Sequence, residues 1–559
     1  MESGQFKTQI LKPDIDERPA VYADRVGRWY AAQVSDDHKR RFGQYLTPGE
    51  VAMFMAKLYQ SGGGPQLRML DPGAGSGVLA CALLEVLALR KEKPSSVELT
   101  AYEIDPNLAS CLEACLSYAS QWLAPFDIQL QFTIIKSDFV LDHAEALEEM
   151  PRLFTEQTAG GNAIDAVIAN PPYFKIPKSD LRARAAAAVV HGQPNLYALF
   201  MAVSAKLLKP QGDMIIITPR SYASGPYFRR FREQFFTVMR PESIHLFGSR
   251  RDAFNRDNIL QENVILHAKK IAEPKGIQKD TLVQVSLSAG VSDLTQAQRR
   301  MVPLTEILDF SSRDKMLWIP VDDTDDDTCR IVRSWPGRLH AYGMEISTGP
   351  VVPFRAVPFL DHHGQLAGNH APLLWMQNVQ AMCVNWPTAA RGKPQYIKVS
   401  PQSMPLLVAD KNYVLLRRFS AKEQTRRLTA APIIANTLGS PWIGLENHVN
   451  YIHRPGGTLS EAEVYGLAVL LNSRLLDIYF RIFNGNTQVS ATELRALPLP
   501  SLDMIVEIGK RWLSSTSPEE KIDALIEDVL DFSPRPFYGS PLKKAEEVIM
   551  TIACRRGAA

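Results

Sequence analysis

Between residue 41 and about residue 270 the chain alternates short apolar runs with longer stretches of helical spacing. Leu67-Arg68-Met69-Leu70-Asp71 is a short apolar run that stops at a glycine-rich turn, and Val78 to Leu89 continues as an apolar helix. Val97 to Glu103 alternates in the manner of a strand, and Ile134-Ile135 leads into Asp138. Ile164 to Ala169 reads as a buried strand ending at Asn170, and Met214 to Thr218 repeats the pattern. Strands alternating with helices predict an α/β fold, a doubly wound, mostly parallel sheet with helices on both faces. In such sheets ligands bind outside the carboxyl ends of the strands. The loops that follow each strand therefore carry the candidate chemistry.

Past about residue 310 the pattern changes. Asp322 to Asp327 is acidic and turn-prone and reads as a solvated linker or loop. From about 330 to 500 the chain is rich in proline, glycine and aromatics without strand–helix alternation, which predicts an irregular α+β domain. Ile522, Leu525, Ile526 and Val529 recur at helical spacing behind Pro518-Glu519-Glu520-Lys521 and predict a C-terminal helical segment. The expected division is 1–310, 311–505 and 506–559.

Composition narrows the class. The 559 residues exceed one ordinary domain, and 45% hydrophobic with 22% charged residues is the balance of a soluble globular protein. No apolar run is long enough to span a bilayer, and Met1-Glu2-Ser3-Gly4-Gln5 lacks a signal-peptide pattern, so a cytoplasmic protein without a membrane partner is expected. Six cysteines in this length do not make a disulfide framework. Cys111 and Cys115 lie one helical turn apart without a convergent second pair, so they read as core residues and no metal is expected. The net charge of +2 says little about partners, but local clusters say more. Arg220, Arg229, Arg230, Arg232, Arg240, Arg250, Arg251 and Arg256 crowd a stretch with few acids. Arg391, Lys393, Lys398, Lys411, Arg417, Arg418, Lys422, Arg426 and Arg427 form a second, interleaved with Tyr396, Tyr413 and Phe419. Such clusters suit phosphate neutralisation, or else solvated helix faces.

Asp71-Pro72-Gly73-Ala74-Gly75-Ser76-Gly77 lies between a strand and a helix. Its glycines let backbone pass close to a ligand, though a dinucleotide site or a plain tight turn would use the same loop. The next strand ends at Glu103, an acid suited to two ribose hydroxyls. The third strand region ends at Ser137-Asp138-Phe139, where Asp138 can accept adenine amino hydrogens and Phe139 can pack on the adenine face. A dinucleotide phosphate would call for a basic or neutral cradle. This loop begins with Asp71, which suits a sulfonium or ammonium group, and together these residues point to S-adenosylmethionine. Upstream, Thr47 before Pro48 reads as a helix start, with Glu50 in the first turn.

Asn170-Pro171-Pro172-Tyr173, followed by Phe174, comes directly after a strand. Two prolines hold the chain extended and stiff. The Asn170 side-chain oxygen and the Pro171 carbonyl can together accept both hydrogens of one amino group. An aromatic amine is a poor nucleophile because its lone pair is delocalised into the ring. Holding both hydrogens toward acceptors favours a tetrahedral nitrogen whose lone pair can attack an activated methyl group in line. Tyr173 can stack on the flat ring. A target inside duplex DNA would have to be flipped out, at about a few kcal/mol of unstacking.

In this order of parts the sequence resembles the DNA amino-methyltransferases, specifically the class I, S-adenosylmethionine-dependent adenine-N6 enzymes of restriction–modification systems. In those enzymes a target-recognition domain follows the catalytic domain. The resemblance rests on Phe42 to Pro48, Asp71 to Gly77, Glu103, Asp138-Phe139, Asn170 to Phe174, Asn195 to Phe200, Gly212 to Pro219 and Leu260 to Leu266. It implies cofactor contacts at Tyr45, Thr47, Asp71, Gly73, Gly75, Glu103, Ile104, Asp138, Phe139, Asn170 and Pro172. It also implies catalysis by Asn170, Pro171 and Tyr173, and target-base contacts at Phe174, Asn195 and Phe254. With the basic clusters it implies contacts to double-stranded DNA from Arg220, Arg229, Arg250, Arg251, Arg256, Arg417 and Arg418. A monomer with a separately acting restriction endonuclease is the implied assembly. A cytosine-C5 enzyme would need a cysteine after a proline, and none of the six cysteines follows one. Cytosine N4 uses the same acceptor geometry and stays open, as do RNA and protein glutamine. About 40 residues precede the cofactor motifs, too few for a fused nuclease.

Overall fold

The computed structural model describes residues 10–62, 64–145, 163–187, 189, 194–248, 262–272, 281–310, 312, 314–366, 369–388, 392–420, 424–485, 487–515 and 522–531. The chain divides into two compact units, the first reaching residue 321 and the second running from 322 to 538.

The first unit is built on nine strands: β1 Gln66–Asp71, β2 Ser96–Tyr102, β3 Gln129–Ile135, β4 Ile164–Ala169, β5 Leu208–Pro219, β6 Met239–Phe247, β7 Asn263–Lys270, β8 Leu282–Ser288 and β9 Gln298–Pro303. They lie in the order β3-β2-β1-β4-β5-β7-β6-β8-β9. β1 to β5 pair in parallel, and β7 enters antiparallel between β5 and β6. This is the class I methyltransferase sheet expected from the sequence. Its central strands carry unbroken apolar runs where both faces are covered. Met69, Ala166, Ile168, Ile215 and Ile217 face one core, while Leu70, Val167, Ala169, Met214 and Ile216 face the other, the alternation a pleated strand imposes.

Helices α1 Pro19–Ala31, α2 Asp36–Phe42, α3 Gly49–Lys57, α4 Val78–Ala88 and α5 Pro106–Leu123 follow in chain order. α1 starts with proline in its first turn and buries Tyr22, Val26 and Tyr30, spaced one turn apart. α4 is apolar all round and nearly every residue of it is buried. Cys111 and Cys115 on α5 are wholly buried beside it. The opposite core receives the short helix α6 Phe139–Asp142 and the apolar helix α7 Leu196–Leu207. The strand order reverses between β1 and β4, so the loops after these two strands flank one crevice. Asp71 ends β1 and Asn170 follows β4. Among the described residues no helix is long and apolar enough to cross a membrane, and no cluster of His, Cys, Asp or Glu has metal-ligand geometry.

The second unit corrects one expectation at once. The acidic stretch beginning at Asp322 is not a linker: it opens helix α8 Asp323–Arg333. Asp322 Oδ1 accepts from the Asp325 amide at 2.9 Å, and Asp323, Asp325 and Asp326 occupy the first turn, where the helix dipole favours negative charge. Thr328, Cys329 and Val332 bury its inner face. An antiparallel sheet joins Glu345–Thr348, Val449–His453, Tyr413–Arg417 and Ala430–Ile433, and a five-stranded mixed sheet is made of segments only two to five residues long. Helix α9 Glu461–Asn472 packs against α10 Leu502–Ser514, and α11 Ile522–Val529 follows with Ile526 buried. Pro518 to Lys521, expected to start that last helix, lies outside the described residues.

The α9–α10 crossing depends on two glycines. A Cβ on Gly466 would stand 1.9 Å from the Ile505 carbonyl oxygen, and one on Gly509 would stand 1.8 Å from that of Ala462. Glycine inside a helix normally costs stability relative to alanine, by about 1 kcal/mol. Here the sign reverses, because the added methyl meets backbone that cannot step aside. Gly509→Ala is expected to destabilise the chain by about 3 kcal/mol, at the upper end for overpacking, read as a lowered urea midpoint. A variant as stable as the parent would contradict this packing.

Candidate active site between strands β1 and β4

The glycine-rich loop is shaped by its backbone. Gly75 and Gly77 hold φ of +58° and +85°, where a side chain is strained, and a Cβ on Gly77 would meet Leu112 at 2.7 Å. Gly73 has a different reason. A Cβ there would point at Asn170 O (3.8 Å) and Pro171 Cα (4.0 Å), so glycine keeps open the space between the β1 and β4 loops.

Asp71, the last residue of β1, is completely buried, and neither carboxyl oxygen has hydrogen-bond geometry to a protein partner. Burial pushes its pKa up to about 8, with the Glu103 charge adding to the shift and the nearby Gly73 and Ala80 amides opposing it. Glu103, at the end of β2, accepts from the Gly75 amide at 3.0 Å through Oε2 and from the Asp105 amide at 2.9 Å through Oε1. Burial pushes it up to about 7 against those amides. An orphaned buried acid, a second acid beside it and a cradle held open by glycine fit a cationic adenosyl cofactor. Ile104, next along the rim, is 45% exposed, an apolar surface facing outward.

Asp138 and Phe139 are each held by protein contacts. Asp138 Oδ1 caps α6, accepting from Val140 N (2.9 Å) and Leu141 N (3.1 Å), while Oδ2 meets an Arg182 Nη1 at 3.2 Å. Phe139, expected to face adenine, is 2% exposed and packs against Tyr102 and Phe200, each at 5.1 Å between ring centroids. It is a core residue with no free ring face, because α6 turns its first side chain inward.

Asn170 is fixed by its nitrogen. Nδ2 donates to the Tyr45 carbonyl at 2.8 Å and to Thr47 Oγ1 at 3.0 Å. A carbonyl can only accept, so the amide has one orientation and Oδ1 must point the other way. There it accepts from the Tyr173 hydroxyl, which also lies 3.1 Å from the Ile217 carbonyl. Burial pushes the Tyr173 phenol well above its ordinary pKa, so it remains a donor. The Tyr173 ring is 8% exposed, with Tyr45 stacked on one side and Tyr197 edge-on, both 6.3 Å away. It props Asn170 rather than presenting a free face. Pro172 and Phe174 lie under Gly43, whose φ is +63° and whose absent Cβ would be 2.7 and 2.8 Å from them. Phe174 is half-buried, with the Arg182 guanidinium 5.9 Å from its ring centroid. Asn195 precedes α7, and the Leu196 amide donates to the Phe174 carbonyl at 2.9 Å.

The expected phosphate contacts divide. Arg220 is 4% exposed and pairs with Glu262 at 2.9 Å, so it braces β5 against the chain before β7 and does not face solvent. Arg232 and Arg427 are likewise buried, at 1% exposure each. Arg229 is half-exposed and pairs with Glu233 and Asp314. In the second unit Arg417 donates to Val379 O and Gln380 Oε1, and Arg418 to Asn447 O. Phe254, Arg250, Arg251 and Arg256 lie outside the described residues.

Sequence reasoning missed α1 and α2. They contribute Gly27, Tyr30 and Lys39 to a cavity of about 440 Å³ behind the glycine loop, completed by Gln44, Thr47 and Ser76. A Cβ on Gly27 would lie 2.8 Å from Ser76 Oγ. The available signal was Tyr22, Val26 and Tyr30, an apolar stripe at helical spacing.

Comparison with known proteins agrees with this geometry. Residues 104–254 match the family model described as Eco57I restriction-modification methylase. Type II methyltransferase M.PstI of Providencia stuartii is 33% identical over 514 residues, covering 91% of this chain and 97% of that protein. Type II methyltransferase M.BsuBI of Bacillus subtilis is 31% identical over 508 residues, covering 88% and 95%. A tRNA1(Val) (adenine(37)-N6)-methyltransferase of Porphyromonas gingivalis is 29% identical over 153 residues, covering 27% of this chain and 49% of that protein.

The buried acid sets a pH signature. An Asp71 carboxyl that moves from 3.8 to about 8 on folding favours the folded state fully below the lower value, and that contribution is lost as pH rises through the upper one. The ligand-free chain should therefore melt at lower temperature at pH 8 than at pH 6. Asp71→Asn should narrow that difference while raising the melting temperature at pH 8. Scanning fluorimetry across this range reads both, and identical pH profiles for the two proteins would refute the assignment.

Proposed function

The chain belongs to the type II restriction–modification DNA methyltransferases, and from that premise we propose that it methylates N6 of an adenine flipped out of double-stranded DNA, using S-adenosylmethionine. The observation that carries this reading is the fixed Asn170 amide. With Nδ2 held by Tyr45 and Thr47, Oδ1 keeps a lone pair for substrate beside the Tyr173 hydroxyl. The Pro171 carbonyl is the second acceptor. Two fixed acceptors hold the two hydrogens of an amino group and leave its nitrogen lone pair directed at the methyl donor, a preorganised arrangement that needs no covalent intermediate. Asp71 would take the cofactor's amino group, Glu103 its ribose hydroxyls and Ile104 its adenine face. Tyr45, Thr47, Gly73, Gly75 and Pro172 would wall the same crevice, and Asp138 Oδ2 would serve the adenine amino group in competition with Arg182. When bound, S-adenosylmethionine supplies a sulfonium-activated methyl group.

Adenine is favoured because the tRNA relative, which by its name acts on adenine N6, matches over 153 residues. Phe174, half-buried directly after the tetrapeptide, would offer an aromatic surface to a flipped base. Phe254 and Asn195 complete the proposed base pocket. Flipping follows from reach, since the acceptors sit in a crevice that a stacked base cannot enter. The unit from residue 322 onward would read the target sequence, with Arg417, Arg418, Arg229, Arg250, Arg251 and Arg256 toward phosphates. The protein would act as a monomer beside a separate endonuclease.

Mass spectrometry of nucleosides from plasmid DNA of expressing cells is expected to give N6-methyladenine. Asn170→Ala, with the fold intact, should lower the methylation rate by about 10²–10³-fold, the usual cost of one preorganised polar group. N4-methylcytosine in the digest would overturn the adenine assignment, and an Asn170→Ala variant of parental rate would overturn the catalytic one.

A further inference from the structure

Asp105 lies two residues beyond Glu103, and its side chain is 1% exposed. Oδ1 caps α5, accepting from Asn107 N at 2.9 Å and Leu108 N at 3.3 Å. A helix cap requires no more than that. Oδ2 does something else. It collects the Tyr30 hydroxyl from α1, His38 Nε2 at 2.6 Å from α2, and Gln44 Nε2 at 3.0 Å from the segment behind α2. A carboxylate oxygen only accepts, so His38 carries its proton on Nε2. Burial alone would raise the carboxyl pKa, but the hydrogen bonds from Tyr30, His38 and Gln44 outweigh it and hold it below the ordinary value.

This oxygen stands between the two halves of the site. On one side the Asp105 amide donates to Glu103 Oε1 at 2.9 Å. On the other, Gln44 is followed directly by Tyr45, whose carbonyl, with the Thr47 hydroxyl, fixes Asn170. The segment from Gly43 to Thr47 is further tied by the Gly43 amide to Arg40 O at 3.3 Å, by the Gln44 amide to Lys39 O at 2.9 Å and by the Gln44 side chain to the Tyr30 hydroxyl at 3.4 Å. The position of the Tyr45 carbonyl therefore depends on where Gln44 is held, alongside the packing of the Tyr45 ring on Tyr173 and of Gly43 on Pro172 and Phe174.

We propose that Asp105 is a positioning residue that couples the cofactor crevice to the Asn170 acceptor, gathering the N-terminal helices through Tyr30, His38 and Gln44 so that Tyr45 and Thr47 hold the amide in its reactive orientation. The coupling runs through contacts only. No proton moves and no bond forms. The inference rests on the methyltransferase reading above, and it adds α1 and α2 to the working parts of the site.

Asp105→Asn separates the two roles of this residue, because asparagine caps a helix as well as aspartate does. It puts an amide nitrogen, or a weaker neutral acceptor, among three donors. Gln44→Leu removes the side-chain bonds from Gln44 to Asp105 and Tyr30 and keeps Asp105 with Tyr30 and His38. For both full-length variants the melting temperature, the affinity for S-adenosylmethionine by calorimetry and the single-turnover methylation rate on DNA are compared with the parent. Asp105→Asn is expected to weaken cofactor binding and slow methyl transfer, each by about tenfold or more, and Gln44→Leu to slow transfer by about ten- to a hundredfold with cofactor affinity nearly kept, as a displaced catalytic group does. The double variant should be no slower than Asp105→Asn, because the two changes break one connection. Parental affinity and rate in Asp105→Asn would overturn the proposal, as would rates that fall only with the folded fraction. If Asp105→Asn does not fold, a parental transfer rate in Gln44→Leu overturns it and a slowed one supports it. A parent that methylates no DNA refutes the function reading instead, and the calorimetric difference between parent and Asp105→Asn still decides the coupling to the cofactor.

Discussion

The amide of Asn170 donates through one nitrogen to the Tyr45 carbonyl and the Thr47 hydroxyl, and most of the architecture around the crevice serves that orientation. An amide has two ends of nearly equal shape, and only the partners decide which end faces the substrate. Here the decision is made by a segment 125 residues earlier in the chain. Gly43 turns the backbone through a left-handed conformation so that this segment can lie on Pro172 and Phe174. On the proposed reading the tetrapeptide would supply the acceptor, and the segment before α3 would aim it.

The second constraint is electrostatic. Two acids, Asp71 and Glu103, are buried within one loop's reach, and each charge makes the other harder to hold. A fold selected for stability alone would avoid this. A site meant for a cation gains from it, since a positive ligand relieves the cost and thereby favours the folded state when bound. The stiff glycine loop and the double-sided sheet are the setting that tolerates the acids until a ligand arrives.

How much of this was legible in the sequence depends on the range over which each feature is determined. β1, β4 and β5 could be read directly because each carries an unbroken apolar run, Met69-Leu70, Ala166 to Ala169 and Met214 to Ile217, where both faces of the sheet are covered. The loop from Asp71 to Gly77 and the tetrapeptide could be read because their geometry is local, set by glycine φ angles and proline rings. Phe139 and Arg220 were misplaced, since their burial is decided by Tyr102, Phe200 and Glu262, distant in sequence. The cluster at Asp105 left no signal in the sequence, because Tyr30, His38 and Gln44 reach it across 61 to 75 residues. The acidic run from Asp322 has the composition of a linker, while its place at a helix start depends on the face that Thr328, Cys329 and Val332 bury. In the second unit strands of two to five residues carry too few alternations to register as a period.

The strand order also governs the sequence of events during synthesis. β1 can pair with β2, and β2 with β3, as soon as these leave the ribosome, but the other neighbour of β1, β4, pairs Ala166 with Met69 and is translated about a hundred residues later. The N-terminal helices, the glycine loop and the Asp105 cluster can therefore assemble as a nascent half-sheet whose β1 edge stays open. That edge presents unpaired backbone until β4 and β5 emerge. The chain consequently makes the half that carries Asp71 and Glu103 first and exposes an unpaired strand edge for the several seconds that elongation needs to deliver the half that carries Asn170.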